Sequence, residues 1–285
     1  MATILKGAEV VEAINEEIKK ESDELKAQGV IPTLAILRVG ERGDDISYET
    51  GVTKRADKVG VAIKNVVLPA DVSQEALIKA IEELNADDTV HGVLMFRPLP
   101  KHIDETKACN TLNPAKDIDG ITDTSAAGVF KGTGTGFAPC TPSACMEILK
   151  HFDVDPKGKR VVVVGRSLVV GKPAAMMLLD RNATVTIAHS RTADLPAVVR
   201  DADIVIACVG RAKMLDSTYL SAGQIVIDVG INVTEDGQLA GDVDYDAAVA
   251  KVAAITPVPG GVGTVTTSVN LKHVVEAAKN QKASA

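Results

Sequence analysis

The chain has 285 residues and a formal net charge of −7, and 46% of its residues are hydrophobic but only 2% aromatic. This length accommodates two domains with buried cores, while the excess negative charge and the shortage of aromatic rings argue against a nucleic-acid partner. Because no apolar stretch approaches the ~18 residues of a membrane span and the N-terminus lacks a signal-peptide pattern, we expect a cytoplasmic protein with no membrane contact.

The first half of the chain predicts strands that alternate with helices. Apolar residues at helical spacing predict a helix over residues 8–28, which Gly29 ends. Strands follow at 33–39, 61–68 and 92–96, with helices over 46–59 and 73–84 between them. Helices of this length between strands give parallel βαβ units, whose ligand sites lie at the carboxyl ends of the strands.

The second half repeats the pattern after a glycine-rich segment, 128–136, that predicts a domain boundary. Strands are expected at 161–164, 184–188, 204–209, 225–229 and 253–255, with helices over 173–179 and 267–278. The fold class is therefore α/β with two domains and a cleft between them. We expect a three-layer α/β domain over residues 1–135, completed by a C-terminal helix over 267–285, and a Rossmann-type dinucleotide-binding domain over 136–266.

A glycine-bounded turn, Gly165-Arg-Ser-Leu-Val-Val-Gly171, follows the apolar strand at 161–164 and precedes a helix. Such a turn directs backbone N–H groups and the positive end of the helix dipole at one spot, where a phosphate binds. The spacing differs from the usual G-x-G-x-x-G. A tight turn in which the glycines only relieve strain is therefore the alternative.

The end of the next strand carries His189-Ser190-Arg191-Thr192. An Asp or Glu at this place favours the free ribose hydroxyl of NAD, and none is present. A hydroxyl and a guanidinium, with Arg166 close by, suit the ribose phosphate of NADP instead. NADP is the preferred cofactor and NAD the alternative, in which Arg191 is a solvated surface charge.

Several ordered motifs resemble the methylenetetrahydrofolate dehydrogenase/cyclohydrolase family over nearly the whole chain. They are Arg-Pro-Leu-Pro at 97–100, Asp-Ile-Asp-Gly at 117–120, Pro-Cys-Thr-Pro at 139–142, the turn at 165–173, Ile-Asp-Val-Gly-Ile at 227–231, Gly-Asp-Val at 241–243 and Thr-Pro-Val-Pro-Gly-Gly-Val-Gly at 256–263. The resemblance implies oxidation of methylenetetrahydrofolate by hydride transfer to NADP, and a homodimer formed through the nucleotide domain.

The same resemblance implies the site residues. Asp119 holds the pterin, unless it only forms a turn before Gly120, and Tyr48 packs against the aminobenzoyl ring, unless it is an ordinary core or surface residue. The implied substrate-binding residues are Tyr48, Phe96, Pro98, Leu99, Asp119, Pro259, Gly260 and Gly261. The implied cofactor-binding residues are Thr141, Gly165, Arg166, Ser167, Val170, Gly171, His189, Ser190, Arg191, Thr192, Val209, Gly210, Val229, Gly230, Ile231, Gly263 and Thr264.

Two departures concern the hydrolytic step. The family carries a catalytic Lys four residues after the Tyr, where this chain has Val52, and the Gln that helps hold this Lys is replaced by Phe96. We therefore expect a dehydrogenase with weak or absent cyclohydrolase activity. The candidate catalytic residues are Tyr48, Lys54 and Asp119, because Lys54 could reach the site if Gly51 loosened the helix.

Two other interpretations stay open. The first is a fully bifunctional enzyme in which Lys54 or Arg97 replaces the family Lys, and the second is a non-catalytic module that binds nucleotide or folate. The five histidines have no paired metal spacing, so no metal site is expected.

Overall fold

Helices and strands alternate along the chain in the computed structural model, which describes residues 2–284. In chain order they are β1 (Thr3–Ile4), α1 (Gly7–Ala27), β2 (Thr33–Val39), α2 (Gly43–Val59), β3 (Ala62–Leu68), α3 (Gln74–Ala86), β4 (Gly92–Met95), α4 (Glu105–Thr111), α5 (Asp123–Lys131), α6 (Cys140–His151), β5 (Arg160–Val164), α7 (Gly171–Asp180), β6 (Thr184–Ala188), α8 (Leu195–Arg200), β7 (Ile204–Ala207), β8 (Ile225–Asp228), β9 (Asn232–Val233), β10 (Leu239–Ala240), α9 (Tyr245–Val249), β11 (Ala254–Ile255) and α10 (Val262–Ser284).

The first compact unit consists of residues 2–12 and Thr141–Thr266. Its six-stranded sheet has the order β1-β11-β8-β7-β5-β6, and every pairing is parallel. Residues 161–164 of the interior strand β5 are four buried valines, as a strand covered on both faces requires. The chain runs from β5 to β6 on one side and then to β7 on the other, so the carboxyl ends of β5 and β7 flank a topological switch point, where open α/β sheets bind ligands.

The second unit consists of Ala13–Cys140 and residues 267–284. Its three strands pair in parallel in the order β3-β2-β4, and a single bridge from Val93 to Asp117 continues the sheet beyond β4. The central strand β2 is buried over nearly its full length, whereas β3 at the edge is largely open to solvent. The apolar side chains of β2 and β4 form a core with those of α3 and α4.

Helix α2 carries several candidate site residues and begins earlier than the sequence pattern predicts. It starts at Gly43, with Asp44 and Asp45 in the first turn, where the helix dipole favours negative charge. It continues without interruption through Gly51 and ends at Gly60, whose φ of +79° closes the helix. The helix is not loosened at Gly51, which was the condition for Lys54 to reach the site, so its residues keep regular helical spacing.

Other elements also depart from the predicted pattern. Strand β1 is too short to show a period, yet it pairs with β11 at the edge of the six-stranded sheet. Helix α5 enters the glycine-rich segment and ends at Gly132. Within residues 2–284, no helix has an apolar stretch long enough to cross a membrane. The described residues also contain no group of three His, Cys, Asp or Glu side chains placed to hold a metal ion.

Candidate functional site

The turn between β5 and α7 requires glycine at both ends. Gly165 has a φ of +140°, and a Cβ there would lie 2.3 Å from the Cys208 carbonyl oxygen. A Cβ at Gly171 would lie 2.3 Å from the Gly165 carbonyl oxygen. The backbone of this turn therefore packs closely against Cys208, the residue that follows β7, at the switch point of the sheet.

The amino end of α7 is already capped by its own turn. The Ser167 hydroxyl accepts the backbone N–H groups of Val170 at 3.1 Å and of Gly171 at 3.3 Å. The sequence motif predicts free N–H groups at this point, so the capping is a correction to that expectation. An anion at this turn would meet the exposed side chains of Arg166 and Ser167.

The turn after β6 lies beside the turn after β5, because Val164 pairs with Ala188 and Gly165 N–H donates to the Ala188 carbonyl. His189 N–H donates to the Thr192 hydroxyl at 2.9 Å, and Arg191 N–H donates to His189 Nδ1 at 3.2 Å. These bonds fix the backbone and leave the side chains of Ser190 and Arg191 exposed. The predicted cofactor residues of both turns are thus brought to the same edge of the sheet.

Two buried carboxylates hold the loops that follow β7 and β8. Asp242 accepts N–H groups from Val209, from Gly210 at 3.0 Å and from Arg211 at 2.9 Å. Asp228 accepts the N–H groups of Gly230 at 3.0 Å, and of Asp242 and Val243 at 2.9 Å. Burial raises the pKa of Asp228 to about 6, although these hydrogen bonds act in the opposite direction.

The residues at the carboxyl end of β8 and the loop at 257–264 line one pocket of about 120 Å³ in the first unit. A Cβ at Gly263 would lie 2.8 Å from Ile231 Cδ1, so the glycine allows this close approach. The pocket brings together the predicted residues Val229, Gly230, Ile231, Pro259, Gly260, Gly261, Gly263 and Thr264. Thr141 lies apart from this lining, partly buried in the first turn of α6.

In the second unit, hydrogen bonds connect Tyr48 with Asp119. Asn270 Nδ2 donates to the Tyr48 hydroxyl oxygen at 3.2 Å, and Cys140 Sγ donates to Asn270 Oδ1 at 2.9 Å. Cys140 N–H donates to Asp119 Oδ1 at 3.3 Å. Burial raises the pKa of Tyr48 to about 12 and also raises the pKa of Asp119, so the phenol is neutral at physiological pH.

The position of the expected lysine is apolar. Val52 is 0% exposed, and Phe96 is 8% exposed with its ring centroid 5.7 Å from that of Tyr48. Leu99 is buried and its N–H donates to Glu105 Oε2 at 2.9 Å, while the neighbouring Pro98 is exposed.

Neither cation proposed as a substitute takes the place of this lysine. Lys54 is exposed and lies two residues beyond Val52 on a continuous helix, a rotation of roughly 200° about its axis. Arg97 Nη1 lies 3.7 Å from Glu105 Oε1 of α4 in an ion pair, and its positive charge also opposes the effect of burial, which raises the pKa of Asp119. The structure thus brings Tyr48, Phe96 and Asp119 together but does not direct Lys54 to them.

Asn270, Cys140 and Asp242 connect the predicted residues but are not predicted themselves. Asn270 lies in the middle of a helix, 222 positions from Tyr48, so no local pattern marks it. Asp242 lies within the Gly-Asp-Val motif at 241–243, which is the one sequence signal that points to it.

Comparisons with known proteins agree with these features. Residues 5–119 match the family model of the catalytic domain of tetrahydrofolate dehydrogenase/cyclohydrolase, and residues 139–282 match the model of its NAD(P)-binding domain. The bifunctional protein FolD of Carboxydothermus hydrogenoformans is 52% identical over 279 residues, which cover 97% of each chain.

Solved structures agree with the described fold over its whole length. The bifunctional enzyme FolD of Campylobacter jejuni superposes with a TM-score of 0.95 at 38% identity, covering 98% of this chain and 99% of that one. The Trypanosoma brucei methylenetetrahydrofolate dehydrogenase-cyclohydrolase, solved with NADP cofactor and inhibitor, gives 0.90 at 36% identity and covers 98% of each chain. The predicted two-domain α/β fold, the nicotinamide cofactor and the family resemblance are confirmed, and the chain belongs to the tetrahydrofolate dehydrogenase/cyclohydrolase family.

Proposed function

We propose that this protein oxidises methylenetetrahydrofolate to methenyltetrahydrofolate with NADP, and that it lacks an efficient cyclohydrolase activity. The sequence pattern assigns residues 1–135 with 267–285 to the folate and residues 136–266 to the dinucleotide, and we move residues 2–12 to the dinucleotide unit because β1 pairs with β11. Membership of the family supports the dehydrogenase reaction. The methylene carbon lies between two nitrogens that share the positive charge left by hydride loss, so the reaction depends mainly on positioning.

The cofactor assignment is supported by features that suit a dinucleotide. The backbone around positions 165 and 171 leaves no room for a side chain, so both positions require glycine. The exposed guanidinium groups of Arg166 and Arg191 suit a ribose phosphate. Val209 and Gly210 would border the nicotinamide, on a loop that Asp242 holds rigid. Bound NADP supplies the hydride acceptor, and these residues supply its position.

The substrate assignment rests on Tyr48 and Asp119. Tyr48 is 40% exposed while its hydroxyl is held by Asn270, so the residue keeps accessible surface that can pack against a substrate ring. Asp119 is partly exposed, and its carboxyl oxygen can also accept an N–H from a pterin.

One observation carries the proposal on hydrolysis, namely that Val52 and Phe96 are both buried and apolar. Addition of water to the methenyl carbon requires proton transfer at a ring nitrogen, and neither side chain can exchange a proton. The alternative is a bifunctional enzyme in which Lys54 or Arg97 performs this transfer, and the name of the Carboxydothermus hydrogenoformans relative favours it. The exposed position of Lys54 and the pairing of Arg97 with Glu105 favour the first proposal.

The test follows reduced cofactor, methenyl product and formyl product together, with methylenetetrahydrofolate and either NADP or NAD. Methenyl product that accumulates in equal amount to reduced cofactor supports a dehydrogenase without hydrolysis. Formyl product that forms faster than the uncatalysed rate supports the bifunctional alternative. If neither cofactor is reduced, the protein is a non-catalytic binding module.

We also propose a cytoplasmic homodimer. Exposed apolar side chains on the β9–β10 hairpin, Val233 and Leu239, are consistent with an association through the first unit. Light scattering coupled to size exclusion tests this part, and a mass near the 29.8 kDa of one chain would contradict it.

A further inference from the structure

A cation other than Lys54 and Arg97 lies on the Tyr48 face of α2, namely Arg55. Because the helix is continuous from Gly43 to Val59, Arg55, seven residues after Tyr48, lies within about 20° of it around the helix axis. Val52 lies between Tyr48 and Arg55 along the helix axis and shares their face. Lys54 is rotated from Tyr48 by roughly 120° and is exposed. The charged side chain on this face is therefore Arg55, one helical turn beyond the position where the family carries its lysine.

Arg55 binds the same turn of α10 that holds Tyr48. Its Nη1 donates to Ser268 Oγ at 2.9 Å, and two residues further Asn270 donates to the Tyr48 hydroxyl oxygen at 3.2 Å. Ser268 Oγ in turn donates to Asn15 Oδ1 on α1 at 2.9 Å. Three helices of the second unit are thus connected through one buried serine.

Burial and charge support this arrangement. Ser268 is fully buried, so removing Arg55 would leave its hydroxyl oxygen without the N–H that it accepts, and no solvent could replace that donor. Partial burial lowers the pKa of Arg55, and Tyr48 lies close enough to act in the opposite direction when it is ionised, although its phenol is neutral at physiological pH.

We propose that Arg55 is a positioning residue for the folate site, which holds the 267–270 turn of α10 and thereby orients Tyr48 against the substrate. This inference rests on the proposed function, since it deepens the role of the same site. A guanidinium stays protonated near neutral pH and presents only donors, so Arg55 does not replace the lysine in proton transfer. It keeps a positive charge on this face of α2 without restoring the hydrolytic step.

The test measures tetrahydrofolate binding by calorimetry, which needs no turnover, together with the dehydrogenase constants of each variant. We expect Arg55→Ala and Ser268→Ala each to weaken tetrahydrofolate binding by about tenfold, the effect of one lost charge-assisted hydrogen bond. The double variant should lose no more than either single variant, because both remove the same interaction. Arg55→Lys should recover part of the loss.

Lys58→Ala is the matched control, because it removes the same charge from an exposed position one turn further along α2 and should leave binding within about twofold. The KM for methylenetetrahydrofolate should rise in Arg55→Ala while the KM for NADP is unchanged, which a general loss of folding would not produce. The inference is overturned if the effects of the two single variants add up in the double variant, or if neither variant changes folate binding. It is also overturned if the wild type binds no tetrahydrofolate. Binding that follows the expected pattern without any cofactor reduction would reject the proposed function alone.

Discussion

Restoring the family's polar pair in place of Val52 and Phe96 should restore hydrolysis at a cost in stability. Val52 is 0% exposed, so a lysine there begins in an apolar environment. If burial lowers its pKa by about 3 units, at 1.36 kcal/mol for each unit, Val52→Lys costs about 4 kcal/mol. The long stem relieves part of this cost where the amine reaches polar surroundings.

Phe96→Gln is chosen to supply an acceptor for the new amine, because the Phe96 ring centroid lies 5.7 Å from that of Tyr48, one helical turn before position 52. A hydrogen bond to a charged group contributes about 1.5–3 kcal/mol, so the two changes together should cost about 2 kcal/mol less than the sum of their separate costs. General acid–base catalysis contributes about 10²-fold or more, so the double variant should hydrolyse methenyltetrahydrofolate about 100-fold faster than the wild type.

The assay follows the loss of methenyltetrahydrofolate without cofactor, and urea unfolding gives the stability of each variant. Val52→Met is the control, because methionine has a long flexible side chain without the amine. The reasoning is refuted if the double variant is folded and binds folate but hydrolyses no faster than the wild type. It is equally refuted if the wild type already hydrolyses methenyltetrahydrofolate well above the uncatalysed rate.

Three further predictions concern the first unit. Because burial raises the pKa of Asp228 from 3.8 to about 6, the folded protein holds a proton that the unfolded chain releases between these pH values. The free energy of unfolding should therefore fall by about 3 kcal/mol as pH rises through this window. Urea unfolding of wild type and Asp228→Asn at pH 4.5 and 7 checks this. The prediction is contradicted if the two proteins differ in stability by the same amount at both pH values. Gly165→Ala should weaken NADP binding by at least about tenfold in a fluorescence titration, since backbone strain and a clash add up there. Gly223→Ala shares the positive φ, +86°, but meets nothing within 4 Å, so it controls for the strain and should bind NADP normally. Arg191→Ala should raise the KM for NADP by about 10-fold or more and leave that for NAD unchanged, and equal losses with both cofactors would rule out a contact to the ribose phosphate.

Local patterns in the sequence were enough to predict the strands that position both sites. Strand β2 occupies the predicted residues 33–39, because Pro32 and Gly40 bound a short, mostly apolar run that only Arg38 interrupts with a charge. The turn at 165–171 could be predicted because Gly165 and Gly171, the residues that make it possible, can be identified directly in the sequence. Contacts between distant residues were not predicted, since Asp242 and Val209 are 33 positions apart and Asn270 is 222 positions from Tyr48.

The capping of α7 by Ser167 shows a different limit. The sequence gives the residue types of the turn, but whether a hydroxyl satisfies the helix N–H groups depends on its side-chain rotamer. Likewise, helical spacing alone could not decide whether Lys54 turns toward Tyr48, because the effect of Gly51 on the helix was open. The continuous α2 settles the backbone, and the exposed position of Lys54 follows from it.

Val52 and Phe96 are best understood as one change. A buried lysine without its hydrogen-bond partner is costly, and so is a buried glutamine amide left alone, so losing either member favours losing the other. The Tyr48, Asp119 and glycine-turn features, which concern positioning, are all present beside this apolar pair. Hydride transfer needs no proton exchange by the protein, whereas hydrolysis does. Under the proposed function, Val52 and Phe96 separate the two reactions, because they remove a group that exchanges protons and leave the groups that position the substrate.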